Sequence, residues 1–129
     1  MRKPAEIIIA LGTNTAQVAN MSAARELVAQ LLPGLTFTRD LWTAPVGIES
    51  DLFLNCLAWG TTSLSYAEAK NALKLIESQL GAEPSSKAAG IVVIDLDILL
   101  FNGRRYHQKD WNRTYIKQLL SELKTTIAL

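Results

Sequence analysis

Apolar residues along this chain occur in short continuous runs, separated by segments in which they recur at helical spacing. Residues 6–11 hold a run with three isoleucines, which is typical of a buried strand, and Gly12 ends it. Residues 35–43 alternate and contain β-branched and aromatic side chains, residues 51–62 hold a third run, and residues 91–101 hold the most strongly apolar one. The pattern therefore predicts four strands.

Two of the segments between these strands show helical spacing. The first helix is predicted over residues 16–32, where Asn14 is the expected N-cap and Gln17 occupies the capping-box position. The second helix is predicted over residues 65–80. Its start and end are marked by a capping box and a C-terminal glycine, at Ser65, Glu68 and Gly81.

The remaining segments complete the expected topology. Polar residues 82–90 predict a loop, and apolar residues near the end of the chain predict a third helix, at Ile116, Leu119, Leu120 and Leu123. The order β-α-β-β-α-β-α is typical of a ferredoxin-like α+β sandwich. We expect a four-stranded antiparallel sheet with the first two helices on one face. The other face is expected to be open and available for a site.

Composition narrows the class of protein. The 129 residues are 49% hydrophobic and 19% charged, which predicts one domain over residues 1–129. Thirteen Lys and Arg against twelve Asp and Glu give a net charge of +1 and no reason to expect a nucleic-acid partner. No segment reaches the roughly 20 apolar residues of a membrane span. The single cysteine, Cys56, excludes a disulfide framework. We therefore expect a cytoplasmic protein without a membrane partner.

Two carboxylates on the fourth strand are the first candidate for chemistry. Because side chains alternate along a strand, Asp95 and Asp97 point to the same face, with Cα atoms about 6.5–7 Å apart. Such a pair repels unless a cation lies between the carboxylates, and oxygen ligands of this kind suit Mg²⁺. The alternative is a pair of solvated acids. We favour the metal site, since no Lys or Thr accompanies the pair.

The third strand contributes to the same face. Alternation places Leu52, Leu54, Cys56 and Ala58 in the core and turns four residues toward the aspartates, namely Phe53, Asn55, Leu57 and Trp59. An amide beside an aromatic ring can bind a flat heterocycle. The edge of an ordinary core is the alternative interpretation of this pattern.

A basic segment follows the fourth strand. It holds one acid, Asp110, among six basic residues, which are Arg104, Arg105, His107, Lys109, Arg113 and Lys117. Cations beside a carboxylate pair are typical of a site for a polyphosphate–metal complex. A solvated connection into the last helix explains the segment equally well.

Five segments, in this order, make the chain similar to the 6-hydroxymethyl-7,8-dihydropterin pyrophosphokinase family. They are residues 9–14 (IALGTN), 43–47 (TAPVG), 53–55 (FLN), 76–81 (IESQLG) and 94–101 (IDLDILLF). The resemblance implies transfer of the terminal diphosphate of ATP to the hydroxymethyl group of a pterin, with release of AMP.

The resemblance also implies a role for each matching residue. The paired aspartates, Asp95 and Asp97, would hold two Mg²⁺ ions that bridge the ATP phosphates. The pterin slot would be formed by Thr43, Pro45, Val46, Phe53, Asn55 and Tyr115. Nucleotide binding would involve Glu77, Ile98, His107 and Arg113, of which the last two also count as catalytic together with the aspartates. In the family's His-x-x-Met-x-x-Arg-x-Phe segment, Asp110 here replaces the methionine.

One segment departs from the family pattern. Before the aspartate strand the family has Gly-Arg-x-Arg, a tryptophan and Gly-Pro-Arg-Thr, whereas in this chain Lys87 is the only cation between Gly81 and Gly90. Two hypotheses therefore stay open. The chain is either a pyrophosphokinase weakened by the loss of these arginines, or a non-catalytic relative that binds a pterin or a nucleotide.

Overall fold

One antiparallel sheet forms the centre of the computed structural model, which describes residues 3–47 and 50–127. Its six strands are β1 (Ala5–Thr13), β2 (Thr36–Phe37), β3 (Leu41–Thr43), β4 (Phe53–Thr62), β5 (Asp95–Phe101) and β6 (Arg104–Arg105). Across the sheet the order is β2-β4-β1-β5-β6, and β3 pairs with the same edge of β4 as β2. All these strand pairs are antiparallel.

The helices lie on both faces of this sheet. They are α1 (Gln17–Leu31), α2 (Tyr66–Gln79), α3 (Pro84–Ala88) and α4 (Thr114–Ile127). Buried side chains of α1 and α2 pack on one face, where they meet alternate residues of β1, β4 and β5. This core includes Met21, Val28, Leu73, Ile76, Ile7, Ile9, Leu11, Leu54, Cys56 and Leu96. The predicted ferredoxin-like α+β fold is confirmed.

The opposite face is partly covered, so the expectation of an open face was wrong at one end. Ile116 and Leu119 of α4 pack on Ile8, Leu57 and Leu99 to form a second apolar cluster. A bulge in β5 adds to this cluster, because the register with β1 shifts between Ile8 and Ile9 and places both Leu99 and Leu100 on the outer face. The uncovered part of this face lies at the start of β5.

The predicted second strand is broken in the middle. β2 and β3 both pair with β4, but the three residues between them, 38–40, lie opposite only two residues of β4, Cys56 and Leu57. The strand is therefore interrupted there. Thr38 fills the gap, since its N–H donates to the Leu57 carbonyl (2.8 Å) and its hydroxyl accepts from the Leu57 N–H (2.9 Å). At the other end of β4, Leu52 was predicted in the core but is half exposed (51%).

Three local predictions around the β1 end were also wrong. The predicted loop 82–90 contains the five-residue helix α3, and β5 begins at Asp95, four residues later than predicted. Asn14 does not cap α1, which follows Ala16 in a left-handed conformation (φ 42°). Instead, Asn14 donates to the Gly90 carbonyl (2.8 Å) and accepts from the Val92 N–H (2.7 Å). These two bonds join the end of β1 to the segment that precedes β5.

The boundaries of α2 follow the prediction. Ser65 and Glu68 form the predicted capping box, with reciprocal hydrogen bonds of 2.9 and 3.1 Å. Gly81 has a φ of 93° directly after the helix, as a C-terminal glycine does. This helix end matters for the site, because Glu77 lies in its last turn.

Candidate active site

A cavity of about 180 Å³ opens on the uncovered part of the outer face. The strands β1, β3, β4 and β5 and the start of α4 surround it. Eight residues predicted for the site line it, namely Thr43, Val46, Phe53, Asn55, Asp95, Asp97, Arg113 and Tyr115. Pro45 lies between two lining residues, Ala44 and Val46, and is not itself part of the lining. The structure therefore brings residues from four separate segments together.

Asn55 is held rigidly at the wall of this cavity. Its side chain is buried, and its amide nitrogen donates to the Thr43 hydroxyl (2.8 Å) and to the Leu41 carbonyl (3.3 Å). Among the described residues no group donates to its carbonyl oxygen, and no side-chain polar atom is both buried and unpaired. The carbonyl oxygen therefore remains available as an acceptor toward the cavity.

Gly12 explains how the amide comes so close to the next strand. It lies opposite Asn55 in the β1–β4 register. A Cβ atom at Gly12 would lie 3.1 Å from Asn55 Oδ1, closer than most real Cβ contacts. Sequence reasoning did not assign Gly12 to the site. Its position directly after an apolar run was the available signal for a close approach.

Aromatic side chains form the other side of the cavity. Phe53 is half-buried and lies opposite Thr43 in the β3–β4 register. Tyr115, from the first turn of α4, is also half-buried, and burial raises the pKa of its phenol. The hydroxyl therefore stays protonated at neutral pH and is able to donate a hydrogen bond.

Asp95 and Asp97 lie on the outer face of β5, opposite Gly12 and Ala10 of β1. Burial raises the pKa of Asp97, and the charge of Asp95 raises it further. The charge of Lys87 and, when it is protonated, of His107 lowers this pKa without cancelling the rise, and His107 Nε2 lies 3.9 Å from Asp97 Oδ1. Two close carboxylates with surplus negative charge are a donor set that fits a divalent cation such as Mg²⁺.

Lys87 of α3 is the nearest cation to Asp95, with 3.0 Å between its Nζ and Asp95 Oδ1. Burial lowers the pKa of Lys87, but the hydrogen bond and the charge of Asp95 outweigh this effect, so the pKa is raised overall. The ammonium group therefore stays charged. Lys87 was noted in the sequence as a lone cation, and its pairing with Asp95 was not predicted.

Both aspartates also line a second cavity of about 300 Å³, which lies beside α2 and α3. Glu77 lines it too, and its Oε2 accepts from the Leu96 N–H (2.8 Å). Burial raises the pKa of Glu77. The aspartates thus stand where two cavities meet, one with an amide and aromatic rings and one with Glu77 and Lys87.

Ile98 and His107 line a third, smaller cavity of about 160 Å³ that also contains Asp97. The Ile98 side chain is buried in the helix-side core, so only a small part of it faces this space. Lys70 and Lys74 of α2 stand on its other side. Asp97 is thus common to all three cavities. Each of the four residues predicted for the nucleotide lines one of them, and these residues are Glu77, Ile98, His107 and Arg113.

The basic segment divides into two groups. His107 and Arg113 line cavities shared with Asp97, and Arg113 Nε donates to Asp110 Oδ1 (3.0 Å). Three of the others have different surroundings: Arg104 stacks on Tyr106, Arg105 stacks on Trp111, and Lys117 lines a separate cavity beside α4. The segment as a whole is therefore not one phosphate-binding surface.

Comparison with known proteins identifies the family. A family model of 7,8-dihydro-6-hydroxymethylpterin-pyrophosphokinase matches residues 8–125. The chain belongs to this family. The pyrophosphokinase family was also the one predicted from the five motifs, and that prediction is confirmed.

Two plant proteins illustrate the relationship. The folate synthesis bifunctional protein of Arabidopsis thaliana is 31% identical over 134 residues, which cover 94% of this chain and 27% of that protein. A second Arabidopsis thaliana relative, the mitochondrial folate synthesis bifunctional protein, is 30% identical over 131 residues, covering 92% of this chain and 23% of that protein. The chain thus spans about a quarter of the length of these curated relatives. Separately, no helix among the described residues is long and apolar enough to cross a membrane.

Proposed function

We propose that this chain transfers the terminal diphosphate of ATP to the hydroxymethyl group of 6-hydroxymethyl-7,8-dihydropterin in folate biosynthesis. The hydroxymethyl oxygen bonds to the β-phosphorus, the bond from that phosphorus to the oxygen of AMP breaks, and the hydroxyl proton is released. The observation that carries the proposal is the position of Asp95 and Asp97 between two cavities of different chemistry. Family membership supports it.

The pterin is proposed to occupy the cavity beside Asn55. A pterin ring carries N–H donors on one edge, and the free carbonyl oxygen of Asn55 is an acceptor fixed by the bonds of the amide to Thr43 and Leu41. Phe53 and Tyr115 offer aromatic faces for stacking on a flat ring. Thr43, Pro45 and Val46 would close the slot along its edge.

The phosphates of ATP are proposed to lie next to the aspartates. Asp95 and Asp97 offer oxygen ligands, and bound Mg²⁺ would supply neutralisation of phosphate charge, with two ions per ATP by family resemblance. His107 and Arg113 stand on either side of Asp97 and would donate to phosphate oxygens. Glu77 and Ile98 would contact the nucleotide on the α2 side.

Turnover is expected to be slow, because the segment before β5 carries little positive charge. Each well-placed donor to a transferring phosphoryl group is worth several kcal/mol in the transition state. In residues 82–93 Lys87 is the only cation, and it is paired with Asp95. The second candidate function, binding of a pterin or nucleotide without transfer, is favoured by this same observation.

Release of AMP tests the proposal. We expect the chain to form AMP from ATP only when both Mg²⁺ and the hydroxymethylpterin are present. Asp97→Asn should lower the rate at least about a hundredfold through loss of a charged ligand, whereas Glu26→Gln, which removes an exposed charge on α1, should not change it. Pterin binding without AMP formation would favour the second candidate. Absence of both would contradict the two together.

The chain is also proposed to act in the cytoplasm. Its single thiol, Cys56, is buried, and burial raises the pKa of this thiol to about 12, so it is unreactive and forms no disulfide. This is compatible with a reducing compartment. Since one relative is named as mitochondrial, cell fractionation with antibody detection decides between the two locations.

A further inference from the structure

We infer that Asp97, His107 and Asp110 form a site for a divalent transition-metal ion that is filled without nucleotide. One potential ligand atom from each residue lies within 4.8 Å of the other two. Two of these atoms, His107 Nε2 and Asp97 Oδ1, lie 3.9 Å apart. This inference deepens the proposed function, because Asp97 also belongs to the proposed phosphate site.

The three residues converge because of how the chain runs after β5. Asp97 projects from the outer face of the strand, and β6 then returns the chain toward it. His107 follows in a left-handed turn (φ 54°), and the N–H of Asp110 donates to the His107 carbonyl (2.8 Å). Arg113 orients the Asp110 carboxylate through a 3.0 Å hydrogen bond to one of its oxygens. The connection thus presents an imidazole and a carboxylate to Asp97.

The distances between the three potential ligand atoms are close to those found around a bound ion. Metal–ligand bonds of about 2.0–2.2 Å place neighbouring ligand atoms about 3–3.5 Å apart. The three groups would therefore have to contract by roughly 1 Å. His107 is exposed and is able to make this adjustment by side-chain rotation, while the two carboxylates are half-buried and more fixed.

The donor set selects the kind of metal. Mg²⁺ prefers oxygen ligands and water, whereas an imidazole nitrogen together with carboxylates suits Mn²⁺, Co²⁺ or Zn²⁺. Asp95 and Asp110 are each paired with a cation at 3.0 Å, Asp95 with Lys87 and Asp110 with Arg113. The imidazole nitrogen of His107 therefore decides the position of the ion, and it lies on the Asp110 side of Asp97.

The competing explanation is an internal ion pair. A protonated His107 between Asp97 and Asp110 would satisfy the same geometry with no metal present. The two explanations differ in a simple way. A metal site binds added ions at a pH where the imidazole is neutral, and an ion pair does not.

Binding of Mn²⁺ to the full chain at pH 8, with neither ATP nor pterin present, tests the inference. Free Mn²⁺ is followed by its electron paramagnetic resonance signal. We expect one site, whose affinity falls at least about tenfold in His107→Gln and in Asp110→Asn. Asp95→Asn, which removes a neighbouring charge but none of the three proposed ligands, should lower the affinity less than either of these variants, and Mg²⁺ should displace Mn²⁺ only in large excess. Circular dichroism melts of the variants establish that each one is folded.

Three results would overturn the inference. The first is that the unchanged chain binds no Mn²⁺. The second is that Asp95→Asn weakens Mn²⁺ binding while Asp110→Asn does not, which would place the ion between Asp95 and Asp97. The third is that Mg²⁺ displaces Mn²⁺ at similar concentrations. Co²⁺ gives an independent readout, since its visible absorption should change in His107→Gln through loss of a nitrogen ligand. Because no substrate is present, these results are separate from the outcome of the AMP assay.

Discussion

The two sides of the candidate site are built from different kinds of structure. On the amide side, Gly12, Thr43 and Asn55 sit on three neighbouring strands, and the register of those strands fixes their positions. On the phosphate side, Lys87 comes from a five-residue helix and His107 from a turn. Backbone pairing holds the first group in place, whereas a small number of side-chain contacts hold the second.

This difference has consequences for binding and for rate. The amide side is preorganised, so a flat ligand finds its hydrogen-bond acceptor without reordering of the chain. The phosphate side depends on contacts such as the exposed Lys87–Asp95 ion pair, and exposed pairs of this kind contribute little. We therefore expect pterin affinity to be retained more fully than catalytic rate.

The largest effect is expected from breaking the amide side. Asn55→Ala removes the acceptor proposed for the pterin and leaves the half-buried Thr43 hydroxyl without its 2.8 Å partner. Loss of the hydrogen bond from the pterin to Asn55, with the pterin donor left unpaired in the cavity, costs about 2–3 kcal/mol. Pterin affinity should therefore fall about a hundredfold. Isothermal titration calorimetry measures this loss. Asn71→Ala, at an exposed position of α2, is the matched control. Unchanged affinity in Asn55→Ala would show that the pterin lies elsewhere.

A smaller effect is expected where the two sides are joined. Asn14 is buried and holds Gly90 and Val92 through bonds of 2.8 and 2.7 Å. Asn14→Ala leaves the buried Val92 N–H without its side-chain acceptor, at a cost of about 2 kcal/mol in the free energy of unfolding. Urea unfolding measures the change, again with Asn71→Ala as control. A loss no greater than that of the control would mean that the segment before β5 is held by other contacts.

The smallest effect concerns the charge of the half-buried Glu77 on the phosphate side. Burial raises its pKa in the folded chain above the unfolded value, so the folded chain binds more protons in that interval. The contribution of Glu77 to stability therefore falls as the pH rises from the unfolded pKa through the folded one. Glu77→Gln should remove this fall. The melting temperature of the variant, relative to that of the unchanged chain, should therefore increase as the pH is raised from 4 to 7. Glu26→Gln, at an exposed position, should follow the unchanged chain. If the melting temperatures of Glu77→Gln and of the unchanged chain changed in parallel with pH, this would contradict a raised pKa for Glu77 in the folded chain.

The sequence predicted those features that depend on local pattern. Alternation placed Asp95 and Asp97 on one face, and the Ser65–Glu68 capping box was visible as a motif. Long-range pairing was not visible. Asn14 fits a local N-cap equally well, and only the folded chain brings it to Gly90 and Val92, more than seventy residues away.

The other features that the sequence did not predict also depend on contacts between distant parts of the chain. Alternation places Leu99 on the same face as Asp97, but it reveals neither the bulge that adds Leu100 to this face nor the packing of α4 against it. The pairing of Lys87 with Asp95 depends on α3, a helix whose polar sequence is typical of a loop. Asp110 was noted as the one acid of the basic segment and as a substitution in a family motif, but not as a ligand, although its spacing of three residues from His107 was the available signal for a shared site.

The central claim is that the amide side retains binding while the phosphate side is short of positive charge. The most direct test is the rate of AMP release at saturating ATP, Mg²⁺ and hydroxymethylpterin, measured beside a family member that keeps the loop arginines. We predict turnover at least about a thousandfold lower in this chain, which corresponds to about 4 kcal/mol of lost transition-state stabilisation. Equal turnover in the two proteins would contradict it.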